Sequence, residues 1–360
     1  MKTALIKKVF QDMKRRRTAL AGMLLIPAVL FAGCGAGDRS GEQSGAEGSA
    51  DQTVEESIGD TEDFQRDDSG YRVGKVVSDA YTDPELYKVD EEDLKATGFV
   101  YDRASLTYEL VWSDEFDYEG APDPEKWGYD VGGSGWGNNE LQYYTEGDNV
   151  TVTDGMLVIE ARKEEMGGRD YTSSRLVTRN KGDWTYCKVE VYAKLPSGLG
   201  TWPAIWMLPT DYEYGSWPAS GEVDIMEHVG YDQDVIVQSV HNQKYHGAQS
   251  RSHSIHTEGV SEEFHLYSVE WLPDKLIFYV DGEEQYIYDP QQITSQPTYE
   301  YWPFDKRMHL LINLAFGGDW GGARGVDDSY FPIQYEVDYV RVYQSPEIME
   351  LTGQTQNNID

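Results

Sequence analysis

The sequence predicts an all-β fold, a jelly-roll β-sandwich of two stacked antiparallel sheets, and three observations carry that prediction. Between about Leu106 and Tyr343, short runs rich in Val, Ile, Tyr and Trp recur with turn signals between them. Long stretches with apolar residues at helical spacing are nearly absent. No repeat of propeller or solenoid period is visible, so the strands must close over a common core rather than stack as units. With 360 residues, of which 39 % are hydrophobic, the chain has enough apolar side chain for such a domain.

Taken in order, residues 1–33 read as an address. The basic run KKVFQDMKRRR precedes TALAGMLLIPAVLFAG, an apolar segment too short for a comfortable membrane span and interrupted by Pro27. Ala32 and Gly33 stand directly before Cys34, and VLFAGC resembles the lipobox of bacterial lipoproteins, with Phe31 where that pattern more often has Leu. The resemblance implies that Cys34 carries lipid, palmitate included, and becomes the mature N-terminus. It also implies an extracytoplasmic protein held on the cell membrane or the outer membrane. Residues 34–70 are Gly, Ser and acid with hardly an apolar side chain, which predicts a disordered, charge-extended tether. Residues 71–105 have scattered apolar positions and predict an N-terminal extension packed on the domain, with a short helix near Pro84 to Tyr87.

The folded domain is expected over 106–345. TYELVWSDEF, NVTVTDGMLVIEAR, CKVEVYAKLP, HLYSVEWLPDKLIFYVDGEEQYIY, MHLLINLAF and YEVDYVRVYQ read as strands, and the Asp-Gly pairs at Asp154 and Asp281 read as hairpin turns. The tail 346–360 is polar and expected to fray. A net charge of −34 excludes nucleic acid as a partner, because phosphate binding needs a basic stripe. A neutral ligand suits the chain better: its 26 Tyr and 10 Trp supply flat faces with polar tips. Cys187 is the one other cysteine, so lipidation of Cys34 leaves no intramolecular disulfide, and Cys187 reads as a small buried hydrophobe.

GEVDIMEHVG, from Gly221 to Gly230, is where chemistry enters. On a regular strand Glu222 and Asp224 share a face and Glu227 turns away. One extra residue accommodated as a β-bulge, read here as Met226, brings Glu227 onto the same face. The two glutamates are then about four strand steps apart, roughly 13 Å between Cα atoms. Side chains leaning inward by about 4 Å each leave a carboxyl gap of about 5 Å. A gap of about 5 to 5.5 Å suits retaining glycoside hydrolysis, with Asp224 helping to keep one glutamate protonated and the other ionised. The competing readings are the wet face of a half-exposed strand and a Ca²⁺ site. The neighbourhood favours catalysis. GTWPAIWMLPTDYEYGSWPAS brings Trp202, Trp206 and Trp217 close to the acids, and GGSGWGNNELQYYTEGDN adds Trp136, Asn139 and further amides suited to stacking on sugar rings and bonding their hydroxyls.

WSDEF, GWGNNELQYYT, AKLPSGLGTWPAIWMLP, GEVDIMEHVG and YEVDYVRVYQ, in that order, resemble glycoside hydrolase family 16. Within it, an ExDxxE strand is similar to that of laminarinases, the endo-β-1,3-glucanases, whereas lichenases have ExDxE. The resemblance implies Glu222 as nucleophile, Glu227 as general acid/base and Asp224 as the assisting carboxylate. It implies that Trp136, Trp202, Trp206 and Asn139 line sugar subsites, with His241 on the adjacent strand near Asp224. No organic cofactor is required, and a structural Ca²⁺ between the first and last strands points to Glu115 and Asp338. The chain departs from the family at Cys187-Lys188, where Gly-Arg is common, which puts the cleft geometry in question. The segment NQKYHGAQSRSHSIHTEGVSEEFH has no metal-ligand spacing and reads as a flexible cleft edge. The expected function is retaining endo-hydrolysis of β-1,3-glucosidic bonds in laminarin-like or mixed-linkage β-glucan, by a monomer. Its rivals are the same fold acting on lichenan, agarose, carrageenan or galactan, and a non-catalytic β-glucan-binding protein.

The anchor is testable alone. Cells fed a labelled lipid precursor should label the wild-type protein and not Cys34→Ser; equal labelling of both would refute the anchor.

Overall fold

The computed structural model describes residues 99–356 and the backbone of two short strands ahead of them, β1 (Phe64–Arg66) and β2 (Arg72–Gly74), which pair antiparallel. The signal with Cys34, most of the tether and the helix expected near Pro84 to Tyr87 lie outside the described residues. Among the described residues, no helix is long and apolar enough to cross a membrane.

The domain opens with β3 (Glu109–Asp114), β4 (Gly128–Tyr129), β5 (Gln142–Tyr144), β6 (Val150–Thr153) and β7 (Met156–Ala161). Next come β8 (Tyr171–Ser173), β9 (Arg175–Val177), β10 (Asp183–Trp184), β11 (Lys188–Lys194) and β12 (Thr201–Pro209). β13 (Glu222–His228), β14 (Val235–His241), β15 (Arg251–His256), β16 (His265–Trp271) and β17 (Leu276–Val280) follow. β18 (Glu283–Tyr288), β19 (Met308–Phe316) and β20 (Ile333–Gln344) complete the strands, and α1 (Pro346–Thr352) closes the chain.

Two large antiparallel sheets result. One runs β15-β14-β13-β12-β19-β9-β4 with β10 beside β19, and the other runs β18-β17-β16-β11-β20-β7-β6 with β3 beside β20. Alternation explains how they close. Along β11, Val189, Val191 and Ala193 point into the core while Lys188, Glu190, Tyr192 and Lys194 point out. Asp154-Gly155 and Asp281-Gly282 have φ of 53°, 74°, 53° and 81°, the positive values that tight hairpins need, and they join β6 to β7 and β17 to β18. In β19 all nine residues are buried, because this central strand has the core on one face and the floor of the cleft on the other.

Several expectations meet the structure differently. The tail is not frayed throughout. Ser345 caps α1 through a hydrogen bond from Ile348 N–H, and Ile348 and Met349 join the core, so two apolar side chains order a segment that otherwise reads as polar. The supposed flexible segment after His241 contains β15, which pairs with β14 and extends the cleft-bearing sheet. Lys188 lies on the outer sheet, 2.6 Å from Glu190, so the departure at Cys187-Lys188 does not reach the cleft. Cys187 is a free, buried thiol whose burial pushes its pKa up, as a core residue's should. Residues 101–108 do pack on the domain. Arg103 bonds Glu270 and Glu284 at 3.0 Å each, Tyr108 donates to Glu270 at 2.5 Å, and Tyr101 donates to Asp274.

Gly230, just past β13, passes against the start of β12. Its N–H donates to Thr201 O, and an added Cβ would lie 1.8 Å from Gly198 O. Gly230→Ala should therefore cost about 2 kcal/mol or more of stability. Calorimetry giving an unchanged melting temperature would refute that close packing.

Candidate active site

The site is built by an irregularity in β13. Against β14, Asp224 is opposite Ser239 and Glu227 opposite Val237, so three steps on β13 match two on its neighbour. Against β12, Met226 pairs with Ile205 and Asp224 with Trp206. The bulge is therefore present, but Ile225, not Met226, lacks a partner on β12. Both side chains enter the core at 0 % exposure, beside Val223. Two successive inward residues shift the phase, and Glu222, Asp224 and Glu227 all come to line a cavity of about 1430 Å³ in this sheet.

Each catalytic candidate has its own donor. Trp202 Nε1 donates to Glu227 Oε1 at 3.0 Å, and Trp217 Nε1 donates to Glu222 Oε2 at 2.9 Å. His241 Nε2 lies 3.1 Å from Asp224 Oδ2 and 3.8 Å from Glu222 Oε1. Trp202 meets Trp320 edge to face, at 5.3 Å between centroids. Farther along the cavity Arg175 sits between two indoles, 4.6 Å from the Trp206 ring and 4.7 Å from Trp136, and is tied to Asp130 at 3.1 Å. Trp206 Nε1 is fixed by Asn313 Oδ1 at 2.7 Å. These contacts hold the rings still, as a sugar-stacking wall needs.

Of the residues expected in the subsites, Trp136, Trp202, Trp206 and His241 line the cavity. Asn139 does not. It donates to Asp319 at 2.9 Å and 3.1 Å, and Asn138 lines the cavity in its place. Arg175, Asn313 and Trp320 are further residues of the site. Trp320 could have been found in the sequence as the aromatic inside the glycine-rich run GGDWGG, while Arg175 looks like a lone charge in a strand. Glu115 uses both carboxylate oxygens on Arg341, at 2.9 Å and 2.7 Å, which leaves Glu115 and Asp338 a poor donor set for Ca²⁺. Among the described residues, one group of three ligand-type side chains comes within 4.8 Å, and it is Glu222, Asp224 and His241.

Environment separates the two glutamates. Burial first, and then the Asp224 charge, push Glu227 well above the usual carboxylate range, with His241 and the Trp202 indole pulling back. Burial and Asp224 also raise Glu222, to about 8, but there His241, the Trp217 N–H and Arg175 all oppose the rise. Asp224 goes to about 8 by burial, opposed by the hydrogen bond it shares with Glu222. Three acids this close cannot all ionise. Glu227 keeps its proton best, and ionisation, where it comes, falls first on the Glu222–Asp224 pair.

A β-sandwich whose aromatic groove carries two glutamates and an aspartate on one wall has the parts of a glycoside hydrolase, and comparison with known proteins agrees. The chain belongs to glycosyl hydrolases family 16, whose model matches residues 137–341. It is 54 % identical over 245 residues to a "Beta-glucanase" of Rhodothermus marinus, covering 66 % of this chain and 85 % of that one. The X-ray structure of the laminarinase from Rhodothermus marinus superposes with a TM-score of 0.65 at 51 % identity, covering 67 % of this chain and 99 % of that one. A mutant of SCLam, a non-specific endo-β-1,3(4)-glucanase with a 1,3-β-D-cellobiosyl-glucose at its active site, matches at 43 % identity and a TM-score of 0.63, over 67 % of this chain and 96 % of that one.

The raised pKa of Glu222 has a cost in stability. Native protein binds more protons than unfolded chain between the ordinary value of 4.5 and about 8, so this group's contribution is intact below 4.5 and is lost as pH rises through 8. Glu222→Gln removes that loss, worth on the order of 1 kcal/mol once the solvated groove is allowed for. Its melting temperature should exceed the wild type's near pH 8 and match it near pH 4.5; a constant difference across that range would contradict the assignment.

Proposed function

We propose that the protein is a retaining endo-β-1,3-glucanase acting on laminarin-like or mixed-linkage β-glucan. The observation that carries this is the bulged strand, which sets Glu227 and Glu222, each facing an indole N–H, on one wall of an aromatic groove. The names borne by the relatives, β-glucanase and laminarinase, support the same substrate.

A glucan chain lies along the groove with its rings against Trp136, Trp206 and Trp202. Glu222 Oε attacks the anomeric carbon as the glycosidic bond breaks, and Glu227 delivers its proton to the departing oxygen. The result is a glycosyl ester on Glu222 and a free reducing-side fragment. Glu227, now ionised, takes a proton from water, whose oxygen attacks the same carbon and displaces Glu222. Two inversions retain the configuration. Asp224 disfavours a second charge on Glu227 before the proton is needed and shares a hydrogen bond with Glu222. All these groups come from one chain, so a monomer suffices. A lectin role would use the indoles but gives no reason to bring two glutamates and an aspartate onto one wall by a bulge. The VLFAGC segment supports attachment of this monomer to an extracytoplasmic membrane surface through lipid on Cys34.

Reducing ends released from laminarin, lichenan and agarose, measured in parallel, test the substrate: laminarin should lead, and agarose cleavage without laminarin cleavage would overturn the reading. Glu222→Gln and Glu227→Gln should each lower kcat on laminarin by about a thousandfold or more. Proton NMR of the first product should give the β-anomer. An initial α-anomer would mean inversion.

A further inference from the structure

His241, on β14, is held by a loop as well as by its strand. Gly247 N–H donates to His241 Nδ1 at 3.1 Å. A backbone amide has only a hydrogen to offer, so Nδ1 must present its lone pair. The proton of the neutral ring then sits on Nε2, the nitrogen that faces Asp224 Oδ2 at 3.1 Å and Glu222 Oε1 at 3.8 Å. Asp224 is 2 % exposed, and its Oδ2 has no hydrogen-bond partner, so the 3.1 Å approach of His241 Nε2 is a contact of distance and charge rather than a formed hydrogen bond.

The same logic decides between two uses of this cluster. Glu222, Asp224 and His241 have the spacing of a metal site. A metal would need the lone pair of Nε2, which moves the proton to Nδ1 and sets two hydrogens against each other at Gly247. The loop therefore selects proton holding over metal binding. It is itself anchored: buried Asn242 accepts from Lys244 N at 3.0 Å and Tyr245 N at 2.9 Å, and donates to Tyr288 Oη at 2.9 Å and Tyr301 O at 3.1 Å. Trp217, which donates to Glu222, lies 5.9 Å from the His241 ring and 5.7 Å from that of His246. Two loops thus meet over the nucleophile.

We propose that Gly247 fixes His241 as the Nε2–H tautomer, making it a positioning residue whose protonated nitrogen stands beside both carboxylates and stabilises the charge they carry when Glu222 attacks. This rests on the glucanase reading for its catalytic consequence, but the tautomer can be measured without it. The other titratable or charged groups around the ring are Glu227 on β13, Arg175 on β9, Lys244 and His246 in the loop, and Arg251 on β15. Arg175 and the N–H of His241 act in the same direction, against the repulsion of the neighbouring acids.

Nitrogen-15 NMR of imidazole-labelled wild type, with the His241 signals assigned by their loss in His241→Gln, should give the Nε2–H pattern; an Nδ1–H pattern overturns the proposal whatever the variants do. Gln places an amide N–H about where Nε2 was, and Asn does not reach it. On laminarin, His241→Asn should lower kcat about tenfold or more, leave KM within about threefold, and move the acidic limb of the kcat profile up by about one pH unit. His241→Gln should recover most of the rate and the original limb. Equal losses in both variants, or a loss confined to KM, overturn the proposal. A wild type that cleaves no β-glucan would defeat the glucanase reading instead, with the NMR result still deciding the tautomer.

Discussion

Two consecutive side chains, Ile225 and Met226, must both be buried, and the geometry of the cleft follows from that. A regular strand sends only every second residue to the same face, so two neighbours cannot both enter this core without an irregularity. β13 buries these two by giving up one backbone pairing to β12, and the offset is passed to everything downstream, so Glu227 arrives on the wall that already carries Glu222 and Asp224. β12, β14 and the loops beyond them then serve this strand. They bring an indole to each glutamate and an imidazole to the aspartate.

Placing three carboxyls together under burial creates repulsion that the fold uses rather than relieves. Full compensation by a cation would ionise all three and leave no acid. Complete burial without donors would protonate all three and leave no nucleophile. The indole N–H groups of Trp202 and Trp217, one to each glutamate, and His241 Nε2, 3.1 Å from Asp224, lie between these extremes. Arg175 is the nearest full charge among them, and its partners Asp130, Trp136 and Trp206 keep it to the wall.

Much of this was legible in the sequence because it depends on local pattern. The alternation in β11, the Asp-Gly turns and the fault in the spacing of Glu222, Asp224 and Glu227 need no knowledge of distant residues. What could not be read depends on partners. Which of Ile225 and Met226 lacks a partner is settled by Ile205 on β12, and both are apolar enough for either role. Asn138 and Asn139 are adjacent and chemically identical, so only Asp319, far along the chain, decides which one leaves the cavity. RSHSIH has too few apolar residues to read as a strand and becomes β15 because β14 offers it an edge. Lys188 looked relevant to the cleft until the sheet order put β11 on the other layer.

The outer layer has a mechanical bearing on how the domain is held. The chain enters it along residues 101–108, pinned to β16, β17 and β18 and to the turn between them through Glu270, Tyr279, Glu284 and Asp274, while the acids sit in the opposite sheet with the core between. Tension applied at Tyr101 itself is borne by those side chains and by the ladder beneath them. Farther upstream β2 touches β15 at the edge of the cleft-bearing sheet, so a force reaching the domain from its N-terminal side is shared between the two layers rather than delivered to the strand where glucan is cut.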